Sequence, residues 1–168
     1  MDRGHDGIDA PVDYMARTRQ TYQALGYEPY RWVHNDDPPP WKPLEKPLSE
    51  CRVALIGSGG IYLKGQIAFH YRDDTTIREI DSNCSLSDLR VTHFAYDTTD
   101  ARKDINVVFP LGTLRDLAGE GMIREVAPFS YGFLGGIYSA RRVREELIPS
   151  LVPRLVDQEV DAALLVPV

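Results

Sequence analysis

Apolar positions change their spacing along this chain, from a helical rhythm near the start to short continuous runs after residue 50. Val12, Met15, Arg19, Tyr22 and Leu25 recur at intervals near three and four, which predicts a helix from Pro11 to Tyr27 with Gly26 as its stop. The run Asp36-Asp37-Pro38-Pro39-Pro40-Trp41-Lys42-Pro43 excludes regular structure, because proline fixes φ and lacks an N–H. It is expected to be extended, leading from the first helix to the first strand, with Trp41 packed down as an anchor. Val53-Ala54-Leu55-Ile56, bounded by Gly57, reads as a strand buried on both faces. Ile105 to Phe109, closed by Pro110, reads as a second strand, Val126 to Phe129 as a third, and Ala162 to Val166 as another buried strand introduced by Asp161. Leu114 to Gly119 is expected to be a short helix ending near Glu120-Gly121. Ser139 is a good N-cap for a helix carrying Val143, Leu147, Leu151 and Leu155 on one stripe, with Pro149 and Pro153 expected to kink or break it. Strands alternating with helices predict an α/β domain, a mostly parallel sheet flanked by helices. The expected layout is an N-terminal helix with a Pro-rich extended lead-in (1–50), then a Rossmann-like half over 51–168 that is incomplete at its C-terminal end. No internal repeat is present.

Composition narrows the partners. The chain has 168 residues, with 25 acidic and 19 basic side chains and a net charge of −6. One domain of this size buries about 70% of its unfolded surface. The acidic balance argues against a nucleic-acid surface, which needs clustered cations. The densest basic run, Arg141, Arg142 and Arg144, is answered at once by Glu145 and Glu146. No apolar stretch reaches the roughly 18 residues of a membrane span. The polar start Met1 to Asp6 lacks a secretory pattern, so a cytoplasmic location is expected. Cys51 and Cys84 form no CxxC and are expected to be reduced and structural.

Three segments carry candidate chemistry. Gly57-Ser58-Gly59-Gly60 follows the first strand, where glycines permit a sharp turn that exposes successive amides as an anion-binding nest. It has neither the dinucleotide spacing nor a P-loop lysine, and a tight turn without ligand is the competing reading. The segment from Thr92 to Asn106 gathers His93, Asp97, Asp100, Asp104 and Asn106. An Asp97 accepting from the His93 ring would fix its tautomer for proton transfer, whereas Asp97 to Asp100 can equally be turn and cap residues. Tyr131 to Gly136, with Gly135 and Gly136, forms a third strand-to-helix loop, which can also be a permissive loop with packed aromatics. Three such loops are expected to converge on one sheet edge, where α/β ligands bind. No metal-ligand pattern, GxSxG elbow or Cys–His nucleophile is present.

These segments resemble the selenoprotein B family of the glycine, sarcosine, betaine and D-proline reductases. The matching pieces, in the family's order, are Val53 to Lys64, Ile77 to Ile80, Thr92 to Asp97, Lys103 to Pro110, Leu114 to Leu117, Glu120 to Ile123, Tyr131 to Gly136 and Val160 to Pro167, so the resemblance covers about residues 41–168. It implies a dithiol-dependent reductase that cleaves a C–N bond beside a separate pyruvoyl-bearing subunit holding a small amino-acid or amine substrate. A dithiol or thioredoxin-like reductant supplies the electrons. The family's redox motif, a selenocysteine or cysteine followed at short distance by cysteine, comes directly after the strand matching Asp161 to Pro167. It is therefore expected beyond Val168, and neither Cys51 nor Cys84 aligns with it. A UGA codon read as a stop would explain that, and the 168-residue chain is expected to be inactive. By position and resemblance, His93 with Asp97 is assigned to proton transfer. Gly57, Ser58, Gly59, Gly60, Gly135 and Gly136 are assigned to substrate or anion binding, and Asp104 and Asn106 to the same site or to ordering its loop. The alternative is a non-catalytic α/β module binding a small anion or a partner subunit.

Overall fold

The computed structural model describes residues 13–29, 34–94 and 96–168. Met1 to Asp6, Pro11 and Val12 at the expected helix start, and Ala95 within the polar segment lie outside the described residues. The described chain forms two compact units, one up to Pro40 and one from Trp41 to Val168.

In the first unit, α1 spans Tyr14–Ala24, and Asp13 caps it by accepting from the Ala16 amide at 2.9 Å. Gly26 adopts φ +76 just past the helix end, the conformation that a glycine stop supplies. The proline run has no regular structure, as its chemistry requires.

The second unit opens on an exposed residue. Trp41 is 87% exposed, so the expected anchor is not one. A 3₁₀ turn at Leu48–Glu50 leads into β1, Arg52–Gly57, whose residues from Val53 onward are all buried. Side chains of this strand alternate between two covered faces, which is why the run is continuously apolar. Burying Leu55 alone stabilises the fold by roughly 1.5–3 kcal/mol.

Strand β1 is the axis of the main sheet. On one side it pairs in parallel with β7, Ala162–Val166, along its length. On the other it pairs in parallel first with β5, Glu125–Val126, and then with β6, Phe129–Gly132. The third strand expected at 126–129 is thus two strands, broken at Ala127-Pro128, because proline cannot donate to the ladder. Outside β6 runs β3, Arg78–Asp81, in antiparallel pairing. A separate antiparallel ribbon joins β2, Ile61–Leu63, to β4, Leu89–Val91.

Ile105 to Phe109 is not a strand. Ile105–Val107 is a 3₁₀ turn, and the Asp104 carboxylate accepts from the Asn106 amide and side chain, both at 3.0 Å. This local capping competes with extension and wins over the β-branched composition. Before it lies α2, Thr99–Lys103; after it lies α3, Leu111–Gly119, whose Leu111 and Leu114 join Val53, Leu55 and Phe109 in the core. Gly121 follows α3 with φ +73.

Ser139 caps the last helical path, its hydroxyl accepting from the Arg142 amide. The path runs through α4, Ala140–Arg142, a π-helical stretch at Val143–Leu147, and α5, Ile148–Asp157. The wide π turn ends just before Pro149, which falls in the first turn of α5 where its missing N–H is tolerated, and Pro153 lies inside α5 without ending it. Leu147 is buried on the expected stripe, while Ile148, Val152 and Val156 are exposed on another face. Strand β7, expected to be buried, is an edge strand, with Leu165 66% exposed. A run buried on both faces and an apolar edge strand look alike in sequence, since the neighbour that would cover the edge is not written in the strand.

Candidate functional site at the carboxyl edge of the sheet

The loops after β1, β4 and β6 do meet, together with the residues following β7. The β1 loop is held from both sides: the Ser58 amide donates to Val166 O at 3.1 Å and the Gly60 amide to Phe133 O at 2.9 Å. From the β6 loop, the Phe133 amide donates to Gly57 O at 3.0 Å and the Gly135 amide to Ser58 O at 2.8 Å. From the β4 loop, the Thr92 amide donates to Gly60 O at 3.0 Å, and the Tyr96 hydroxyl to Gly59 O at 3.1 Å. After β7, the Val168 amide donates to Ser58 Oγ at 2.9 Å.

The glycines serve this close approach. A Cβ on Gly60 would collide with the Thr92 carbonyl, and one on Gly132 with the Ile61 carbonyl. One on Gly136 would sit 2.7 Å from the Phe94 ring. Gly60 and Gly135 therefore spend their amides on other loops, and Ser58 spends its amide on the end of β7. Among the described residues, the Gly59 and Gly136 amides keep no hydrogen-bond partner and remain as donors.

The half-buried His93 ring stacks on Phe94, with centroids 5.5 Å apart, and lies 4.7 Å from the Tyr96 ring at a tilt. Burial among these rings lowers its pKa, because the charged imidazolium loses hydration, so the ring is neutral at pH 7 and able to take a proton. Burial likewise raises the Tyr96 phenol, which stays protonated as the donor to Gly59. Asp97 is committed elsewhere: its Oδ1 accepts from the Thr99 hydroxyl at 2.6 Å and amide at 2.9 Å, opening α2. Those bonds hold its carboxyl below the usual range. Asp104 and Asn106 are engaged with each other, and Asn106 Oδ1 accepts from the Gly112 amide at 2.9 Å, tying the 3₁₀ turn to α3.

Both thiols are free and removed from this edge. Cys51 is buried and donates to Pro47 O at 3.3 Å. Cys84 is raised above the usual thiol pKa by burial, despite the Arg115 guanidinium beside it. No set of three His, Cys, Asp or Glu that could hold a metal occurs among the described residues. No described helix is long and apolar enough to cross a membrane. The Tyr96 and Ser58 contacts were not assigned from sequence; a tyrosine inside a polar, turn-rich segment was the one available signal for the former.

Fold and edge together define an α/β protein whose carboxyl sheet edge is built from strand-following loops, the place where open α/β sheets in general bind small molecules. Residues 28–168 match the glycine/sarcosine/betaine reductase selenoprotein B family, and the chain belongs to it. It is 38% identical over 128 residues to D-proline reductase subunit gamma of Acetoanaerobium sticklandii, covering 76% of this chain and 53% of that one. It is 30% identical over 141 residues to glycine reductase complex component B subunit gamma of Symbiobacterium thermophilum, covering 77% and 31%. Over 97 residues it is 35% identical to sarcosine reductase complex component B subunit beta of Peptoclostridium acidaminophilum, covering 54% and 22%. The chain thus spans about half of the first relative and about a third or less of the other two. No solved structure matches it significantly.

Proposed function

We propose that this chain is a selenoprotein B-like subunit of an amino-acid reductase of the glycine, betaine, sarcosine or D-proline type, working in the cytoplasm. The observation that carries the reading is the meeting of the three loops and the end of β7 around Ser58. In this reading a selenocysteine or cysteine follows Val168, whose amide is already bonded to Ser58 Oγ. That residue supplies a chalcogen nucleophile, and a pyruvoyl-bearing partner subunit holds the substrate. The overall change balances as one C–N bond broken, one hydrogen gained by carbon and one by nitrogen, and one dithiol oxidised to disulfide. The Gly59 and Gly136 amides bind a substrate oxyanion. His93, neutral and enclosed by Phe94 and Tyr96, moves a proton, and Asp97 acts by fixing the loop that carries it. The donor set suits an anionic nucleophile or carboxylate, being neutral hydrogen-bond donors and one neutral base.

The test is an intact mass of the protein from its native source, with dithiol-dependent amine release measured alongside the partner subunit. A mass well above 19.0 kDa, carrying selenium's isotope pattern or an added cysteine motif, and turnover that falls in His93→Ala are expected. A mass of 19.0 kDa without thiol-dependent turnover overturns the proposal. That outcome fits the second reading, a non-catalytic binding or assembly module, which is favoured by the exposed Leu165 of β7 and the unreactive setting of Cys84.

A further inference from the structure

A second concavity lies between the β2–β4 ribbon, α2 and the 3₁₀ turn at Ile105–Val107, with a volume of about 670 Å³. Its character is opposite to that of the whole chain. The protein carries a net charge of −6, yet Arg90, Arg102 and Lys103 line this cleft against one carboxylate, Asp104. That carboxylate is occupied, its Oδ1 accepting twice from Asn106.

The cations are held ready in different ways. Arg90 sits opposite Tyr62 in the ribbon, and its Nη1 donates to Ser87 O and Leu89 O, both at 2.8 Å. Two backbone carbonyls thus fix the guanidinium, leaving Nε and Nη2 without a hydrogen bond among the described residues. The Arg102 side chain makes no hydrogen bond or ion pair among the described residues, although its charge is close enough to help hold the Asp97 carboxyl down. Lys103 pairs with Asp100 at 3.0 Å, but both side chains are more than 70% exposed, and such a pair contributes less than about 1 kcal/mol and is readily exchanged. Thr92 adds a hydroxyl to the wall, and Val91 and Ile105 add apolar surface. A fixed guanidinium with two open donors, in the same cleft as a second guanidinium that makes no hydrogen bond, is the donor chemistry that an oxyanion takes.

We propose that this cleft binds a small oxyanion, a carboxylate or a phosphate, at a site separate from the loop convergence. None of Gly57 to Gly60, Gly135 or Gly136 lines it. The two places share Thr92, whose amide bonds Gly60 O while its hydroxyl donates to Tyr62 Oη at 3.3 Å. Occupation of the cleft therefore bears on the β4 loop that carries His93.

Amide chemical shifts of the 168-residue chain, followed at constant ionic strength while sodium pentanoate, inorganic phosphate or uncharged 1-pentanol is added, test the proposal. Saturable shifts confined to residues 87–92 and 101–106 are expected with at least one anion and not with pentanol. Tighter phosphate binding assigns a phosphorylated ligand, and tighter pentanoate binding a carboxylate. Arg102→Gln, at an exposed side chain that makes no hydrogen bond among the described residues, is expected to weaken binding about tenfold, the loss of one charge-assisted hydrogen bond. Arg90→Gln gives a second loss of the same order. Linear, unsaturated shifts, equal shifts with pentanol, or unchanged affinity in both variants overturn the proposal. Reductase turnover does not enter this test, so its failure is separate from that of the catalytic reading.

Discussion

Gly60→Ala measures what the loop convergence contributes to the fold. Gly60 has φ +72, and a Cβ there would overlap the Thr92 carbonyl. Gly121 is a matched control in the same unit, with φ +73 and nothing within 4 Å of its Cβ position. Holding alanine in the left-handed region costs roughly 1–2 kcal/mol at either site. At Gly60 the backbone must also move, straining the Gly60 to Phe133 bond at 2.9 Å and the Thr92 to Gly60 bond at 3.0 Å. Each contributes about 0.5–1.5 kcal/mol. Gly60→Ala should therefore cost roughly 2–5 kcal/mol, out of a total stability on the order of 5–15 kcal/mol. Gly121→Ala should cost only the roughly 1–2 kcal/mol of its dihedral. Urea unfolding followed by far-ultraviolet circular dichroism reads both, and the melting temperatures should fall by about 5–15 °C and about 2–6 °C respectively. Equal losses in the two variants would show that the backbone approach at Thr92 contributes nothing, and the rigid junction of loops with it.

Asn106→Ala should cost about 1–3 kcal/mol, because the Gly112 amide loses its acceptor; hydrogen exchange at Gly112 should quicken, and unchanged protection there would refute the clamp. Glu146 is held down to about 2, chiefly by hydrogen bonds from Arg142 and then Thr75. A depressed carboxylate contributes fully above its unfolded pKa near 4.5 and loses that contribution as pH falls through its folded value. A carbon-13 titration of Glu146 should therefore show no protonation at pH 4, and a midpoint near 4.5 would break the assignment. Tyr131, pushed up to about 12 mainly by burial, keeps its proton in the folded state. The associated stability is present below pH 10 and is lost as pH rises through about 12, so absorbance at 295 nm should report its ionisation only above the ordinary phenol range. Ionisation of this tyrosine near pH 10 in the folded chain would contradict its burial.

What sequence conveys about this fold follows from how local each signal is. Strand β1 was readable because a strand covered on both faces must be apolar throughout, and α3 because its apolar spacing lies within nine residues. Strands β2, β3 and β4 are three or four residues long and owe their pairing to distant partners, so no local pattern announces them. Ile105 to Phe109 misled for the opposite reason. Its β-branched residues favour extension, but one carboxylate, Asp104, holds the turn by accepting from the Asn106 amide and side chain. The loop convergence was legible from glycines following strands. Which amides would remain open was not, since that depends on the partner each loop meets.

That last distinction governs the chemistry of the edge. Glycine-rich loops after strands suggest a cradle of free amides, but here the close approach that glycine permits is used by the protein's own carbonyls. Gly60 admits Thr92, Gly132 admits Ile61, and Gly136 admits the Phe94 ring. The result is a wall whose geometry is set by the protein's own contacts, with the Ser58 hydroxyl bonded to the end of the chain and the Gly59 and Gly136 amides without a hydrogen-bond partner among the described residues. Preorganised donors of this kind need no rearrangement as charge develops. The Thr92 carbonyl packs on Gly60 while its hydroxyl reaches Tyr62, so the β4 loop links this wall to the β2–β4 ribbon. A substitution that shifts β4 should therefore disturb His93 and Gly60 together, whereas one in β3, on the far side of β6, should leave both in place.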